Sequence, residues 1–157
     1  AAMWKSLLAG ACAGITYGAP GVWNWLKPNM PKNPMGGEGF LEGVPCQRAI
    51  LLPGANDFSF AKRFLEENGY TLLTGAQEVL AKYETEVRAA HAGEDLILFV
   101  PTNAPLFLHG DWSAYKATAI DLETHESTGV DIFQEGDVTR IGMHPFYADA
   151  LILLKRR

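Results

Sequence analysis

The chain has 157 residues, of which 48% are hydrophobic and 20% charged, and its formal net charge is −5. This length and balance allow one folded domain with a modest core and an appendage. The longest basic cluster is Lys155-Arg156-Arg157, so we expect no nucleic-acid partner. The two cysteines, Cys12 and Cys46, lack the spacing of a zinc site or a disulfide scaffold, and we expect no metal or other cofactor.

The first notable feature is an apolar segment, residues 6–26, which contains no charged residue and no histidine. As a helix it would extend about 31 Å, close to the thickness of the hydrocarbon core of a membrane. Gly10, Gly14 and Gly18 recur at four-residue spacing and would form a smooth face for close helix packing. The pattern therefore predicts a transmembrane helix within residues 1–26 that packs through these glycines against another subunit.

Aromatic and basic residues bracket this segment. Trp4 and Lys5 precede it, and Trp23, Trp25 and Lys27 close it, as interfacial residues do at the two surfaces of a bilayer. Lysines at both ends leave the orientation undetermined. Three other interpretations stay open, namely a glycine-rich segment packed on the protein's own domain, an interfacial helix and a targeting signal.

Residues 27–45 are rich in proline and glycine, which exclude a regular helix or a central strand. We predict an extended linker that lies along a partner's surface, followed by a globular domain over residues 46–157.

Two helices are predicted at the start of this domain. In the first, Asp57 or Ser59 caps the N-terminus and Gly69 ends the helix, with Phe60 and Phe64 on the buried side. The second covers residues 74–93, because a capping box precedes an amphipathic pattern. The capping box is Thr74 and Gln77, and the apolar side carries Val79, Leu80, Tyr83 and Val87.

From residue 94 onward the hydrophobic period changes to two, which predicts strands. The strand segments read DLILFVP, PLFLHGDWSAYKATA, STGVDIFQE and DVTRIGMHPFYADALILL, with residues 134–137 as a hairpin turn. Helices followed by antiparallel strands predict an α+β fold, with the N-terminal membrane helix in front of helices packed on a curved antiparallel sheet.

The order of these elements resembles the nuclear transport factor 2-like, or SnoaL-like, superfamily over about residues 55–155. Residues 75–79 stand in the place of that family's Gly-x-Glu-x-Ile segment, and residues 133–138 in the place of its Phe-x-x-x-Gly-Lys-Ile hairpin. The resemblance implies a cone-like fold, in which a curved sheet wraps around a helix.

SnoaL-like enzymes move protons next to a carbonyl with acids and histidines that line the cone. The resemblance would give this role to Asp131, His125 and His144, with Asp121 as a further acid, in an isomerase, dehydratase or cyclase acting on a small apolar carbonyl substrate. A separate pair, His109 and Asp111, could supply two metal ligands or a base and its orienting group.

An α/β alternative comes from residues 49–75, which resemble the strand, glycine turn, helix and strand of a Rossmann-type unit. A dinucleotide site needs further glycines after Gly54, and the carboxylate of Asp57 would repel phosphate there. This leaves a degenerate Rossmann-type binding module as an alternative.

No catalytic motif is recognisable, so we favour a non-catalytic function. The hypothesis is an accessory (supernumerary) subunit of a membrane-embedded energy-converting complex. Its partners would be lipid and the other membrane subunits, contacted through the N-terminal helix and the linker. The mitochondrial inner membrane is the expected location, with the thylakoid membrane as the alternative.

Overall fold

The computed structural model describes residues 1–19, 21–22, 25–29, 44–82, 84–147 and 149–157. These residues form two compact units along the chain. The first unit combines Ala1–Gly14 with Leu65–Arg157, and the second unit is Ile15–Phe64. Most of the predicted linker, residues 27–45, lies outside the described residues, and the domain boundary predicted near residue 45 stays a prediction.

The first unit is built mainly from β-strands. Its described residues contain β1 (Thr74–Gly75), β2 (Arg88–Ala92), β3 (Asp95–Val100), β4 (Leu106–His109), β5 (Tyr115–Asp121), β6 (Ser127–Val130), β7 (Ile132–Glu135), β8 (Val138–Ile141) and β9 (Ala150–Arg156). Six of them form a sheet in the order β1-β2-β3-β9-β5-β6, and three form a second sheet in the order β4-β8-β7. Every pairing recorded between these strands is antiparallel.

The two sheets bury a shared hydrophobic core. On the central strand β3, Leu96, Leu98 and Val100 are fully buried in this core. Leu106 and Leu108 of β4 enter it from the three-stranded sheet. Because successive side chains of a strand point to opposite faces, the two sheets pack face to face as a β-sandwich.

The other face of the six-stranded sheet is buried as well. Ile97 and Phe99 of β3 have no exposed surface, and they alternate with the residues of the shared core. The helix α1 (Ala2–Leu8) packs on β2 and β3 and buries Trp4, Leu7 and Leu8. Burial on both faces explains why β3 reads as an almost continuous apolar run.

The second unit contains the helix α2 (Cys46–Ala49) and most of α3 (Pro53–Glu67), whose last residues belong to the first unit. A short 3₁₀ turn, Gln77–Val79, lies between β1 and β2 of the first unit.

The predicted transmembrane helix is wrong. The helix α1 ends at Leu8, because Gly10 and Gly14 have φ values of +92° and +84°, outside the right-handed helical region. Within the described part of the chain, every helix is too short or too polar to cross a lipid bilayer.

The predicted helix before Gly69 is confirmed as α3, although it begins at Pro53 rather than at Asp57 or Ser59. The predicted helix over residues 74–93 is wrong. This segment contains β1, the 3₁₀ turn and β2, and Gln77 does not act in a capping box. Its side-chain Nε2–H donates to the Val87 carbonyl at 3.0 Å, and the N–H of Ala89 donates to its Oε1 at 3.4 Å. Tyr83, placed on the apolar side of that helix, lies outside the described residues.

The fold class is therefore corrected. The α+β cone with a membrane helix is wrong, because the described residues are mostly antiparallel strands with few short helices. The Rossmann-type α/β alternative is wrong because it requires parallel neighbours, and the pairings recorded are antiparallel. Individual strands of the second half, β3 and β9 among them, are confirmed.

Candidate functional site

The strongest candidate site is a loop in the second unit, residues 15–29, here called the aromatic loop; residues 20, 23 and 24 lie outside the described residues. Backbone hydrogen bonds fix its turns. Val22 N–H donates to the Ala19 carbonyl at 3.0 Å, and Leu26 N–H donates to the Gly21 carbonyl at 2.9 Å. The carbonyl of Leu26 in turn accepts the N–H of Cys46 at 2.8 Å. The loop therefore holds a defined backbone conformation.

Gly21 is required by this conformation for two independent reasons. Its φ of +101° lies in a region that residues with a side chain rarely adopt. A Cβ at this position would also lie 1.9 Å from the carbonyl oxygen of Val44. Glycine alone fits without moving the backbone.

Trp25 is the most unusual residue of the loop. Its side chain is 73% exposed, although a tryptophan of this size is more often largely buried. Its backbone has a φ of 47°, and Asn29 follows with a φ of 69°. A bulky residue in the left-handed region costs about 1–3 kcal/mol, and such strain is found mainly at ligand-binding and active sites.

Tyr17 adds a second aromatic ring to the loop. It is 38% exposed, and its ring centroid lies 5.2 Å from that of Phe58 on α3. A Cβ at Gly54, in the first turn of α3, would lie 2.6 Å from Cε2 of Tyr17. The tyrosine is thus anchored on the helix, whereas the Trp25 indole is displayed to solvent.

An exposed aromatic ring on a backbone held by hydrogen bonds can stack on the apolar face of a ligand ring. The nonpolar C–H face of a sugar ring is one such surface. The sequence predicted a membrane-interface function for Trp25. It did not predict the turns that expose this residue, because they depend on Val44 and Cys46, which are distant in sequence.

The predicted glycine strip does not form one face of a helix. Gly10 and Gly14 adopt positive φ values after the end of α1, and Gly18 is exposed in the aromatic loop. Nothing else in the described residues tests a packing function for these three glycines, so that function stays a prediction.

The residues predicted at a membrane interface have separate environments. Trp4 is 2% exposed in the first unit, and Lys5 forms an ion pair with Glu86. This pair lowers the pKa of the Glu86 carboxyl, chiefly through the hydrogen bond from the lysine. Lys27 is exposed, and Trp23 lies outside the described residues.

The three residues predicted for proton transfer lie in three different connections between strands. His125 has a φ of 63° in the turn between β5 and β6, and its N–H donates to the Asp121 carbonyl at 2.9 Å. Asp131 is exposed between β6 and β7, and its carbonyl accepts the N–H of Gly142 at 2.9 Å. Their catalytic function stays a prediction.

His144, the third of these residues, is 2% exposed between β8 and β9. Its Nδ1 lies 3.3 Å from the N–H donor of Phe146, and its Nε2 lies 3.1 Å from the carbonyl oxygen of Thr102. These partners assign the neutral tautomer with the proton on Nε2. Both ring nitrogens are therefore used in holding the loop before β9.

Asp121 and Asp111 have local structural contacts. Oδ1 of Asp121 accepts the N–H groups of Glu123 and Thr124 at 2.7 and 3.3 Å, which forms an Asx turn. The backbone N–H and the hydroxyl of Ser113 lower the pKa of the Asp111 carboxyl. His109 is exposed, and no group of three or more His, Cys, Asp or Glu side chains in the described residues is placed to hold a metal ion.

The comparisons with known proteins that found a match all indicate similarity to glycoside hydrolases. A family model described as "Apiosidase-like, catalytic domain" matches residues 1–71. Among solved structures, one described as a glycoside hydrolase is similar with a TM-score of 0.69 and 18% sequence identity, over 90% of this chain and 32% of that one. No curated protein matches the chain.

A second solved structure, a glycoside hydrolase family 5 protein from Bacteroides vulgatus ATCC 8482, has a TM-score of 0.62 and 15% identity, over 87% of this chain and 31% of that one. The chain thus spans about a third of the length of both structures, and at these identities the likeness concerns the fold.

These findings overturn the assignment from sequence. The resemblance to the nuclear transport factor 2-like superfamily is wrong, because the matching family and the similar structures are of glycoside hydrolase type. The hypothesis of an accessory membrane-complex subunit is wrong for the same reason, and so are the SnoaL-like and Rossmann-type alternatives. The predicted membrane partners and the mitochondrial or thylakoid location are wrong on the same findings.

Proposed function

We propose that the chain is part of a glycoside hydrolase and that its aromatic loop contacts a sugar through the indole of Trp25. The observation that carries this proposal is an exposed tryptophan held at a positive φ within residues 1–71, the segment similar to an apiosidase-like catalytic domain. The likeness of the fold to parts of two glycoside hydrolases supports it.

The proposal assigns sugar contact, not bond cleavage, to this segment. Hydrolysis of a glycosidic bond requires two carboxyl groups that flank it, about 5–10 Å apart. The described carboxylates of residues 1–71 are Asp57, Glu66 and Glu67, all exposed on α3, and the last two are adjacent in the helix. Since the chain spans about a third of the similar enzymes, a contact to one substrate ring is the function that its own residues support.

The experiment is a sugar titration of the ¹⁵N-labelled full chain, followed by backbone amide shifts in NMR. The probes are methyl β-apioside and methyl β-glucoside. We expect saturable shifts in the aromatic loop, and a loss of about tenfold in affinity in Trp25→Ala, which corresponds to about 1.4 kcal/mol of stacking.

The matched control is Tyr147→Ala, because Tyr147 is a fully exposed aromatic residue of the first unit. This variant should bind as the wild type does. Absence of saturable shifts in the loop with both sugars, or equal affinity of the Trp25 and Tyr147 variants, would contradict the proposal.

A further inference from the structure

The first unit contains a groove of about 510 Å³ beside the start of the sandwich. Its walls are residues 8–9 at the end of α1, residues 75–78 around the 3₁₀ turn, residues 84–85 before β2 and residues 88–89 at its start. A volume between about 300 and 1,000 Å³ is typical of sites for small molecules. All of these residues belong to the first unit, whereas the aromatic loop belongs to the second.

One wall of the groove is backbone. A Cβ at Gly75 would lie 3.6 Å from the Leu8 carbonyl oxygen and 3.7 Å from the carbonyl group of Ala9, which is ordinary contact. The chain after α1 therefore runs close beside the edge strand β1. Leu8 and Ala76 have no exposed surface and form the closed base beneath the groove.

Two polar side chains of the groove are held in place by the protein. Gln77 is fixed by its two hydrogen bonds to the backbone of Val87 and Ala89. Arg88 donates through Nη1 to the carbonyls of Thr85 and Val87, at 2.7 and 2.8 Å. Its guanidinium group has further donors, at Nε and Nη2, which these two carbonyls do not use. Arg88 is thus a planar donor whose orientation is set before a ligand arrives.

The charges of the groove determine the class of ligand. The exposed carboxylates of Glu78 and Glu84 lie on the lining together with the single cation Arg88. Two negative charges beside one positive charge disfavour an anion, and the described residues hold no cluster fit for a metal ion. Sugar hydroxyls suit this lining, because one hydroxyl can donate to a carboxylate and accept from a guanidinium.

We propose that this groove binds a neutral saccharide unit, as a second carbohydrate site in the β-sandwich. Glu78 and Glu84 accept hydroxyl hydrogens, and Arg88 donates to hydroxyl oxygens. The site does not depend on sugar binding by the aromatic loop.

The experiment titrates the ¹⁵N-labelled full chain with cellobiose, D-galacturonate and calcium chloride in separate series. We expect cellobiose to give saturable amide shifts at Gly75, Gln77 and Ala89. The double variant Glu78→Ala/Glu84→Ala should lower the affinity for cellobiose at least fivefold. Both side chains are exposed, so the fold should persist. The control is Glu123→Ala, an exposed glutamate in the turn after β5, which should leave the affinity unchanged.

Three results would overturn the proposal: no saturable shifts with cellobiose, tighter binding of D-galacturonate or calcium than of cellobiose, or an unchanged affinity in the double variant. The same titration in Trp25→Ala separates the two proposals. If the amide shifts in the groove persist in Trp25→Ala and the aromatic loop of the wild type shows no shifts, the function proposed for the loop is refuted. The groove site is then still supported.

Discussion

Replacing Gly21 with alanine tests the conformation that displays Trp25. The substitution imposes two penalties, because the native φ is +101° and the new Cβ would lie 1.9 Å from the Val44 carbonyl oxygen. Strain in the left-handed region costs about 1–2 kcal/mol. Backbone movement to relieve the overlap costs about 1–3 kcal/mol more, as overpacking does elsewhere. We expect a loss of about 2–5 kcal/mol in the free energy of unfolding of the second unit, or a rearranged loop of lower sugar affinity.

Alanine substitutions at two other glycines separate the cost of backbone strain from the cost of the overlap. Gly14 has a φ of +84°, but a Cβ there would meet nothing within 4 Å, so Gly14→Ala should cost only the strain of about 1–2 kcal/mol. Gly129 in β6 has neither a positive φ nor a neighbour within 4 Å, so Gly129→Ala should be neutral or stabilise by up to about 1 kcal/mol.

The assay is urea unfolding of the full chain, followed by tryptophan fluorescence and by far-UV circular dichroism. Divergence of the two probes would indicate that the two units unfold separately, and each transition is then fitted alone. If Gly21→Ala cost no more than Gly14→Ala, the close approach of Gly21 to Val44 would be refuted as a constraint on the loop.

Three further predictions concern the first unit. Leu98→Ala should lower the free energy of unfolding by about 2–5 kcal/mol in urea denaturation, because Leu98 is fully buried between the sheets; a loss below about 1 kcal/mol would contradict the packing. Burial raises the pKa of the Tyr70 phenol above its ordinary value of about 10, and the hydrogen bond to Asp95 and the charge of that carboxylate add to the shift. The neutral phenol therefore stabilises the fold up to about pH 10, and this contribution is lost as the pH rises through the pKa of the folded state. Tyr70→Phe should therefore unfold with a weaker dependence on alkaline pH, and ultraviolet titration of the wild type should show a tyrosine that ionises only on unfolding; ordinary titration of all tyrosines would oppose this. Asp121→Ala should lower the free energy of unfolding by about 1–3 kcal/mol in thermal denaturation, because it leaves N–H groups of the turn unpaired. Asp121→Asn should retain most of the stability, because its amide oxygen can accept the same hydrogen bonds. Equal losses in the two variants would argue against the Asx turn.

Much of the secondary structure could be predicted from local sequence. The helix α3 follows from its apolar spacing and from Gly69, which has a φ of +69° after the last turn. The hairpin of β7 and β8 follows from Gly136, which also has a positive φ. These features depend on contacts between residues close in the chain.

The segment 74–93 could not be predicted in this way. Its apolar residues fit a helical period, yet Ala89 and Ala90 are both buried, on opposite faces of β2. Pairing of β2 with β3, in which Ala89 is opposite Leu98, decides in favour of a strand. Propensity is a weak preference, and the burial gained by adding a strand to a central sheet outweighs it.

The candidate site was only partly accessible from sequence. The exposed aromatics and the glycines were visible, but their arrangement in a turn depends on the contact between Gly21 and Val44 and on the hydrogen bond from Cys46 to Leu26. Without those contacts, an apolar segment bracketed by tryptophans has the composition of a membrane helix.

By itself, the sequence determined the helix α3, the positions of most strands and the turn at Gly136, because each rests on backbone preferences within a few residues. Tertiary structure alone decided how the strands pair into two sheets and where Trp25 lies. The hydrophobic effect removes apolar side chains from water, but it does not specify whether lipid or protein covers them. For Trp4 and Leu8, burial in the first unit made that choice.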